Sequence, residues 1–223
     1  MSLHIAPKRT RSVVPSATVQ RLPLYLHVLS GLRDRGVATI SSSDLAANSG
    51  VTSAKLRKDL SFIGSFGRRG VGYDVDYLHG VLADWLGVQQ EMAVVIVGVG
   101  NLGHALATYS GFIQRGFAVE GLIDNDPRLV GQIVQTGRGA VSIEAPDRLI
   151  EIAARCQIGV IATPDVAAQS VCDHLIIAGI RDILTFASCV LVVPDGVQVR
   201  HIDLGAELAV LASRPRRMTA VSA

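Results

Sequence analysis

The sequence predicts an α/β chain: an N-terminal winged-helix domain followed by a Rossmann-like doubly wound parallel sheet. Three observations carry that prediction. Up to about residue 87 apolar residues recur mainly at three- and four-residue steps, the period of buried helix faces. From residue 93 onward short apolar runs alternate with helical patterns, the order of a parallel sheet covered on both sides. Between these regimes, Gly98-Val99-Gly100-Asn101-Leu102-Gly103 stands where a strand should turn into a helix, and the basic segment Lys55-Leu56-Arg57-Lys58-Asp59-Leu60-Ser61 lies some forty residues upstream.

Residues 1–14, with Lys8, Arg9 and Arg11, read as a flexible basic arm. Val19, Leu22, Leu26, Leu29 and Leu32 then mark one helix from Ala17 to Gly36, with Pro23 in its first turns, where a missing N–H costs least. Thr39-Ile40-Ser41 is a short extended piece. Ser41 to Ser43 supply N-cap candidates for a helix over Asp44 to Asn48, closed by Gly50. The next helix restarts at Val51-Thr52-Ser53, with Leu56, Leu60 and Ile63 inward and Ser53, Lys55, Arg57 and Lys58 outward, as in the second helix of a helix-turn-helix. Gly64 to Tyr73 carries the glycines of a tight hairpin with Arg68 and Arg69 at its tip, a wing able to lay arginine against phosphate or into a minor groove. A connecting helix through Tyr77, Leu78, Val81, Leu82, Trp85 and Leu86 ends at Gly87, which bounds a DNA-binding domain over 15–87.

The second domain is expected over 88–202, after a junction at 88–92. Ala93 to Val97 is a strand buried on both faces. It is followed by a helix over 101–115, a strand over 118–123, a weakly patterned stretch through Val141 and a helix over 146–155. A strand over 158–162, a helix over 165–178, a strand over 183–186 and apolar pieces at 190–193 and 197–202 complete it. A lone glycine pattern is weak, but this one follows a strand, opens a helix and is answered by Asp124, twenty-one residues past Gly103. The glycines let a backbone approach a pyrophosphate, the helix N-terminus supplies N–H donors, and Asp124 suits a ribose 2′-hydroxyl. An acid there repels a 2′-phosphate, which favours NAD over NADP, with Arg128 nearby as a counterweight.

Charge divides the same way. Residues 1–90 hold eleven Lys or Arg against six Asp, and residues 91–223 hold ten against thirteen Asp or Glu, so the basic excess sits with the part read as DNA-binding. The chain is 49% hydrophobic and 18% charged, with mean hydropathy +0.38, and no apolar run reaches the roughly 18 residues of a spanning helix, so a cytoplasmic protein is expected. Cys156, Cys172 and Cys189 are odd in number and widely spaced, which speaks against a disulfide framework or a zinc site and for small buried hydrophobes. His174 sits in a helical apolar pattern with Val171 and Leu175, His201 in the final strand has no acidic partner at a telling spacing, and His104 reads as a helix-surface residue, so no general acid or base declares itself and no enzyme is expected. The competing readings are an NAD-dependent oxidoreductase with an accessory helical domain and a nucleotide- or CoA-binding module.

One family gathers these features. Ala17-Thr18, Arg21-Leu22-Pro23 and Tyr25, Ile40-Ser41-Ser42 with Leu45-Ala46, Arg57 to Ser61, and Gly67 to Tyr73 lie in order along the first domain. Gly98 to Gly103, Tyr109 with Gly111-Phe112, Asp124 to Pro127, Ala167-Ala168-Gln169, Ala178-Gly179-Ile180, and Asp203-Leu204 with Glu207-Leu208 lie in order along the second. From Pro15 to Leu211 the chain resembles the Rex family of redox-sensing transcriptional repressors.

The resemblance implies a homodimer that binds a pseudo-palindromic operator with NAD, or when NADH is scarce, and releases it as NADH accumulates. It implies a C-terminal domain-swapped helix over 203–213, followed by a tail over 214–223, and a redox switch in which Arg21, Tyr109 and Asp203 exchange partners. The expected cofactor set is Gly98, Val99, Gly100, Asn101, Leu102, Gly103, Asp124, Thr163, Pro164 and Phe186. The expected DNA set is Ser42, Ser53, Lys55, Arg57, Lys58, Ser61, Arg68 and Arg69. Two departures stand out: Thr185-Phe186-Ala187-Ser188 replaces an Asn-Phe-Ala-Pro stretch near the nicotinamide, and Ser213 replaces an aromatic residue at the end of the swapped helix.

Overall fold

The computed structural model describes residues 14–67, 70–88 and 91–213. The arm before Val14, Arg68, Arg69 and the tail from 214 lie outside the described residues. The chain divides into two compact units, Met1–Gln90 and Glu91–Ala223.

The first unit contains α1 (Ser16–Val19), α2 (Leu22–Asp34), β1 (Thr39–Ile40), α3 (Ser42–Asn48), α4 (Ser53–Ser61), β2 (Tyr73–Asp74) and α5 (Val75–Leu86). The single helix expected over 17–36 is in fact two. In a continuous helix Pro23 would have no N–H to offer the Val19 carbonyl and its ring would crowd that oxygen, so the chain leaves α1 and restarts from Arg21, whose carbonyl accepts from Leu24 and Tyr25. Leu22, Tyr25, Leu29, Leu45, Leu56, Leu78 and Leu82 are fully buried and form one core. Both helices of the helix-turn-helix are capped by hydroxyls: Ser41, one of the expected cap residues, accepts from the Asp44 amide, and Thr52 accepts from the Lys55 amide.

The hairpin expected within 64–73 takes another form. Residues 64–67 carry no strand, and β2 pairs antiparallel with β1, Ile40 opposite Tyr73. Gly72 makes this pairing possible: its φ is +97°, and a Cβ there would overlap the Ile40 carbonyl.

The second unit is one seven-stranded sheet. Its elements are β3 (Met92–Val97), α6 (Asn101–Ala107), α7 (Ser110–Ile113), β4 (Phe117–Ile123), β5 (Ile133–Gln135), β6 (Ala140–Glu144), a 3-10 turn (Pro146–Arg148), α8 (Leu149–Ala153), β7 (Ile158–Ile161), α9 (Asp165–Ile177), β8 (Asp182–Thr185), β9 (Gln198–His201) and α10 (Leu204–Ala212). The strand order is β5-β6-β4-β3-β7-β8-β9, all parallel except β5 at the edge. Without β5 this is the 3-2-1-4-5-6 order of dinucleotide-binding folds, whose crevice lies between the first and fourth strands, here β3 and β7. Side chains along β3 alternate: Val95 and Val97 join α8 and α9 in one core, Val94 and Ile96 join residues of α6 in the other.

Three departures from the expected pattern are local. The helix over 101–115 breaks at Tyr109, where ψ is 106°, after the Thr108 hydroxyl bonds back to the His104 and Ala105 carbonyls. The weakly patterned stretch holds a β5–β6 hairpin turned between Thr136 and Gly139, too short and too exposed at the edge to alternate clearly. The piece at 190–193 is not a strand: the Gln169 side-chain amide satisfies both the N–H and the carbonyl of Val192, as a neighbouring strand would. Among the described residues no helix is long and apolar enough to cross a membrane.

Candidate cofactor cleft and nucleic-acid interface

At the carboxyl end of β3 the chain turns through Gly98 into α6, and three glycines there do three different things. Gly98 has φ +91°, and a Cβ would run into the Ala162 carbonyl at the end of β7. Gly103 lies so close that a Cβ would overlap the carbonyl oxygen of Gly98, which lets α6 seat directly on the strand. Gly100, the N-cap residue of α6, has nothing within 4 Å of its Cβ position, so its bare backbone borders open space. That space is a cleft of about 790 Å³ whose walls include Gly98, Gly100, Leu102, Asp124, Thr163, Pro164 and Phe186 from the expected set. Gly103 is buried beneath it, and Val99 is buried with its amide donating to Asp124.

The Asp124 carboxylate closes the glycine loop before any ligand arrives. Oδ2 accepts from the Val99 amide at 2.6 Å and Oδ1 from the Asp126 amide at 2.8 Å, leaving further lone pairs for a hydroxyl donor. Arg128 is clamped by Asp126, with Nη2 at 2.7 Å from Oδ2 and both side chains out of the core. The cation that would favour a 2′-phosphate is thus neutralised beside the cleft. Thr163 presents a buried hydroxyl with no hydrogen-bond partner among the described residues. An orphaned hydroxyl, the N-terminus of α6 and a cradle a Cβ would fill fit the pyrophosphate and nicotinamide parts of a dinucleotide.

The cleft also contains residues that the sequence does not assign to it. Asp147 and Ser170 line it, as does His174, whose Nδ1 lies 2.7 Å from the Ser170 carbonyl. The replaced proline has a structural counterpart: the Ser188 amide donates to Asp165 at 2.9 Å, a bond no proline can make, and Thr185 accepts from the Ala187 amide. Cys156 and Cys172 are buried and their thiols are raised, Cys156 by burial and then Glu120 to about 11, while Cys189 is only half-buried.

The first unit has its own concavity, bordered by Ser41, Ser42, Arg57, Gly67, Gly70 and Gly72. Lys55, Arg57, Lys58 and Ser61 are exposed on α4 and Ser53 is half-buried at its start, so helix and loop present donors and cations together. Tyr109 is half exposed and packs edge-on against Phe112 at 5.3 Å, and Asp203 caps α10 through the Ala206 amide.

Arg21 forms an ion pair that the sequence pattern does not disclose. Its Nε and Nη2 each donate to Asp59 at 2.6 Å, and Tyr25 and Thr18 donate to the same carboxylate at 2.6 and 2.9 Å. The one signal in the sequence is an acid three residues past Leu56, on the buried stripe. Burial by itself raises the Asp59 pKa, but donation from Arg21, Tyr25 and Thr18 outweighs it and holds the carboxyl below its ordinary value. Tyr25 is raised, first by burial and then by Asp59. A depressed carboxyl stabilises the fold fully above its unfolded pKa, and that stability is lost as pH falls through the folded value. The first unit is therefore expected to hold its urea midpoint above about pH 5 and to lose stability below about pH 4. Urea titrations from neutral to acid pH check this, and Asp59→Asn should flatten that part of the profile.

Two family models match the chain, one described as a putative DNA-binding protein N-terminus over residues 13–61 and one as a CoA binding domain over residues 89–189. The redox-sensing transcriptional repressor Rex of Streptomyces avermitilis is 52% identical over 216 residues, 96% of this chain and 84% of that protein. The Rex of Desulfitobacterium hafniense is 45% identical over 200 residues, covering 89% and 93%. Among solved structures, the repressor RSP bound to NAD+ and operator DNA superposes with TM-score 0.81 at 35% identity over 91% of this chain and 93% of that one. RSP bound to NADH gives 0.77 at 33% identity over 91% and 94%.

Proposed function

Because the chain belongs to the Rex family of redox-sensing transcriptional repressors, we propose that it is a DNA-binding repressor that reads the NADH to NAD ratio. It occupies a pseudo-palindromic operator when NAD is bound or NADH is scarce and leaves it when NADH accumulates. The observation that carries this reading is that the similarity spans both units at once, 96% of the chain, rather than the nucleotide-binding fold alone. In this reading α4 enters the major groove with Ser53, Lys55, Arg57, Lys58 and Ser61 outward, helped by Ser42 and by Arg68 and Arg69 of the wing. NAD or NADH takes the cleft: its pyrophosphate meets the glycine loop between Gly98 and Gly103 at the N-terminus of α6, its adenosine ribose Asp124, and its nicotinamide the side lined by Thr163, Pro164 and Phe186.

The protein acts as a cytoplasmic homodimer whose α10 is exchanged between copies. What supports this is that no residue of α10 is buried, with Leu204, Leu208, Val210 and Leu211 between 58% and 66% exposed. A nine-residue helix is marginal in water without a surface to pack on. Arg21, Tyr109 and Asp203 then exchange partners with the redox state, Arg21 leaving Asp59 as part of that exchange. The two cofactor forms bias the dimer only because they bind its two arrangements unequally.

The protein is a regulator and not an enzyme. What supports this is that His104 and His201 do not line the cleft and that the Nδ1 of His174 is engaged with the Ser170 carbonyl. Band shifts on one labelled inverted repeat, at fixed total dinucleotide and a rising NADH share, are expected to show progressive release that NAD reverses. Indifference to both forms would defeat the sensor reading. Turnover of NADH with small carbonyls would favour an oxidoreductase, and displacement of NADH by CoA a CoA-binding module.

A further inference from the structure

The buried stripe of α4 holds one residue that hydrophobic patterning does not require. On the face that carries Leu56 and Leu60 into the core, Asp59 is 2% exposed, the one charged residue buried from solvent among the described residues. An apolar side chain would fill that place without the desolvation an ionised carboxylate suffers. What the carboxylate supplies is direction. Apolar packing tolerates a helix sliding or turning against its neighbours, whereas four donors converging on two oxygens do not. Thr18 reaches in from α1, Tyr25 from α2 and Arg21 from the turn between them, the guanidinium gripping both oxygens at once. Lys55, Arg57, Lys58 and Ser61 are exposed on the rest of α4, so the rotation of this helix decides where their tips lie.

We infer that Asp59 is a positioning residue for sequence-specific DNA recognition: gripped by Arg21, Tyr25 and Thr18, it sets the rotation of α4 and so selects which base edges the outward side chains meet. This rests on the reading of α4 as the recognition helix. Asp59 faces the core and contacts no DNA itself. The Arg21 side chain is 21% exposed against 3% for Asp59, so the guanidinium is the part of the lock that solvent and other anions can reach. A loosened α4 keeps its hold on phosphate, because the backbone repeats along the duplex, and loses its hold on base edges, which do not repeat.

The test compares the full chain with Asp59→Asn on two duplexes: an inverted repeat recovered by the wild-type chain from a randomised pool, and a shuffled duplex of the same composition. The asparagine variant is expected to lower the ratio of the two affinities by about tenfold, the scale of one good base contact. Affinity for the shuffled duplex, its salt slope and NADH binding stay within about twofold of wild type, because the cations that meet phosphate are unchanged. An unchanged ratio, or an equal loss on both duplexes by a folded variant, overturns the inference. Should Asp59→Asn fail to fold, Tyr25→Phe decides, because it removes one donor to Asp59 and leaves Arg21, a member of the redox switch, in place. A ratio lowered about threefold by the folded variant supports the inference, and an unaltered ratio overturns it. A wild-type chain with no preference for any inverted repeat overturns the repressor reading and this inference with it, whereas preference in wild type retained by the variants overturns this inference alone.

Discussion

Gly103→Ala is expected to abolish the response to NADH while leaving operator binding in its absence intact. A Cβ at 103 would overlap the Gly98 carbonyl oxygen, and neither side of that approach is a flexible side chain that can swing away. Either α6 lifts from β3 or the loop moves, and in both cases the amides that meet the pyrophosphate lose their aim. A loss of about 3 kcal/mol in cofactor binding, roughly a hundredfold in Kd, follows from misplacing several such donors. Fluorescence titration of NADH measures it, and band shifts should show an operator complex that NADH no longer dissolves. Gly100→Ala is the companion: its Cβ meets nothing in the protein, so the fold should keep its melting temperature and any loss of affinity comes from collision with the dinucleotide. Normal NADH binding by Gly103→Ala would refute the assignment of the loop.

Arg57→Ala is expected to weaken operator binding by about 1 to 3 kcal/mol, roughly five- to 150-fold, with NADH affinity unchanged. The side chain is exposed on α4 and borders the same concavity as Ser42 and the glycines of the wing. If Arg57 grips a base edge, its removal lowers discrimination between operator and random duplex. If it holds phosphate, removal weakens binding to both and flattens the salt dependence. The two titrations together assign the role of Arg57. Simultaneous loss of NADH binding would mean a folding defect.

Much of the fold is legible from residue patterns because the governing forces are local. Ser41 and Gly87 mark helix ends through a side-chain acceptor and backbone freedom, and the structure places caps at both. The glycine loop and Asp124 can be read together because one helical crossover and one parallel strand fix their separation. What escapes such a reading depends on neighbours distant in sequence. Asp59 looks like a solvated acid in a basic helix until Thr18 and Arg21, 41 and 38 residues away, are folded against it. The break at Gln20 and Arg21 is hidden when Pro23 is weighed by its missing donor and not by the carbonyl its ring crowds. The β5–β6 hairpin is silent in the sequence because an edge with one covered face leaves little alternation in three to five residues.

The Val99 amide donates to Asp124, so if Asp124 takes the adenosine ribose as proposed, that end of the cradle is set before the dinucleotide enters. Oxidised and reduced forms are chemically identical over that half, so whatever it contributes to affinity is common to both. Substitutions there should scale the two dissociation constants in parallel, leaving the set-point of the sensor, expressed as a ratio, where it was. On the proposed assignment, calibration belongs to the nicotinamide side of the cleft, around Thr163 and Phe186, where a hydride's difference is all there is to read.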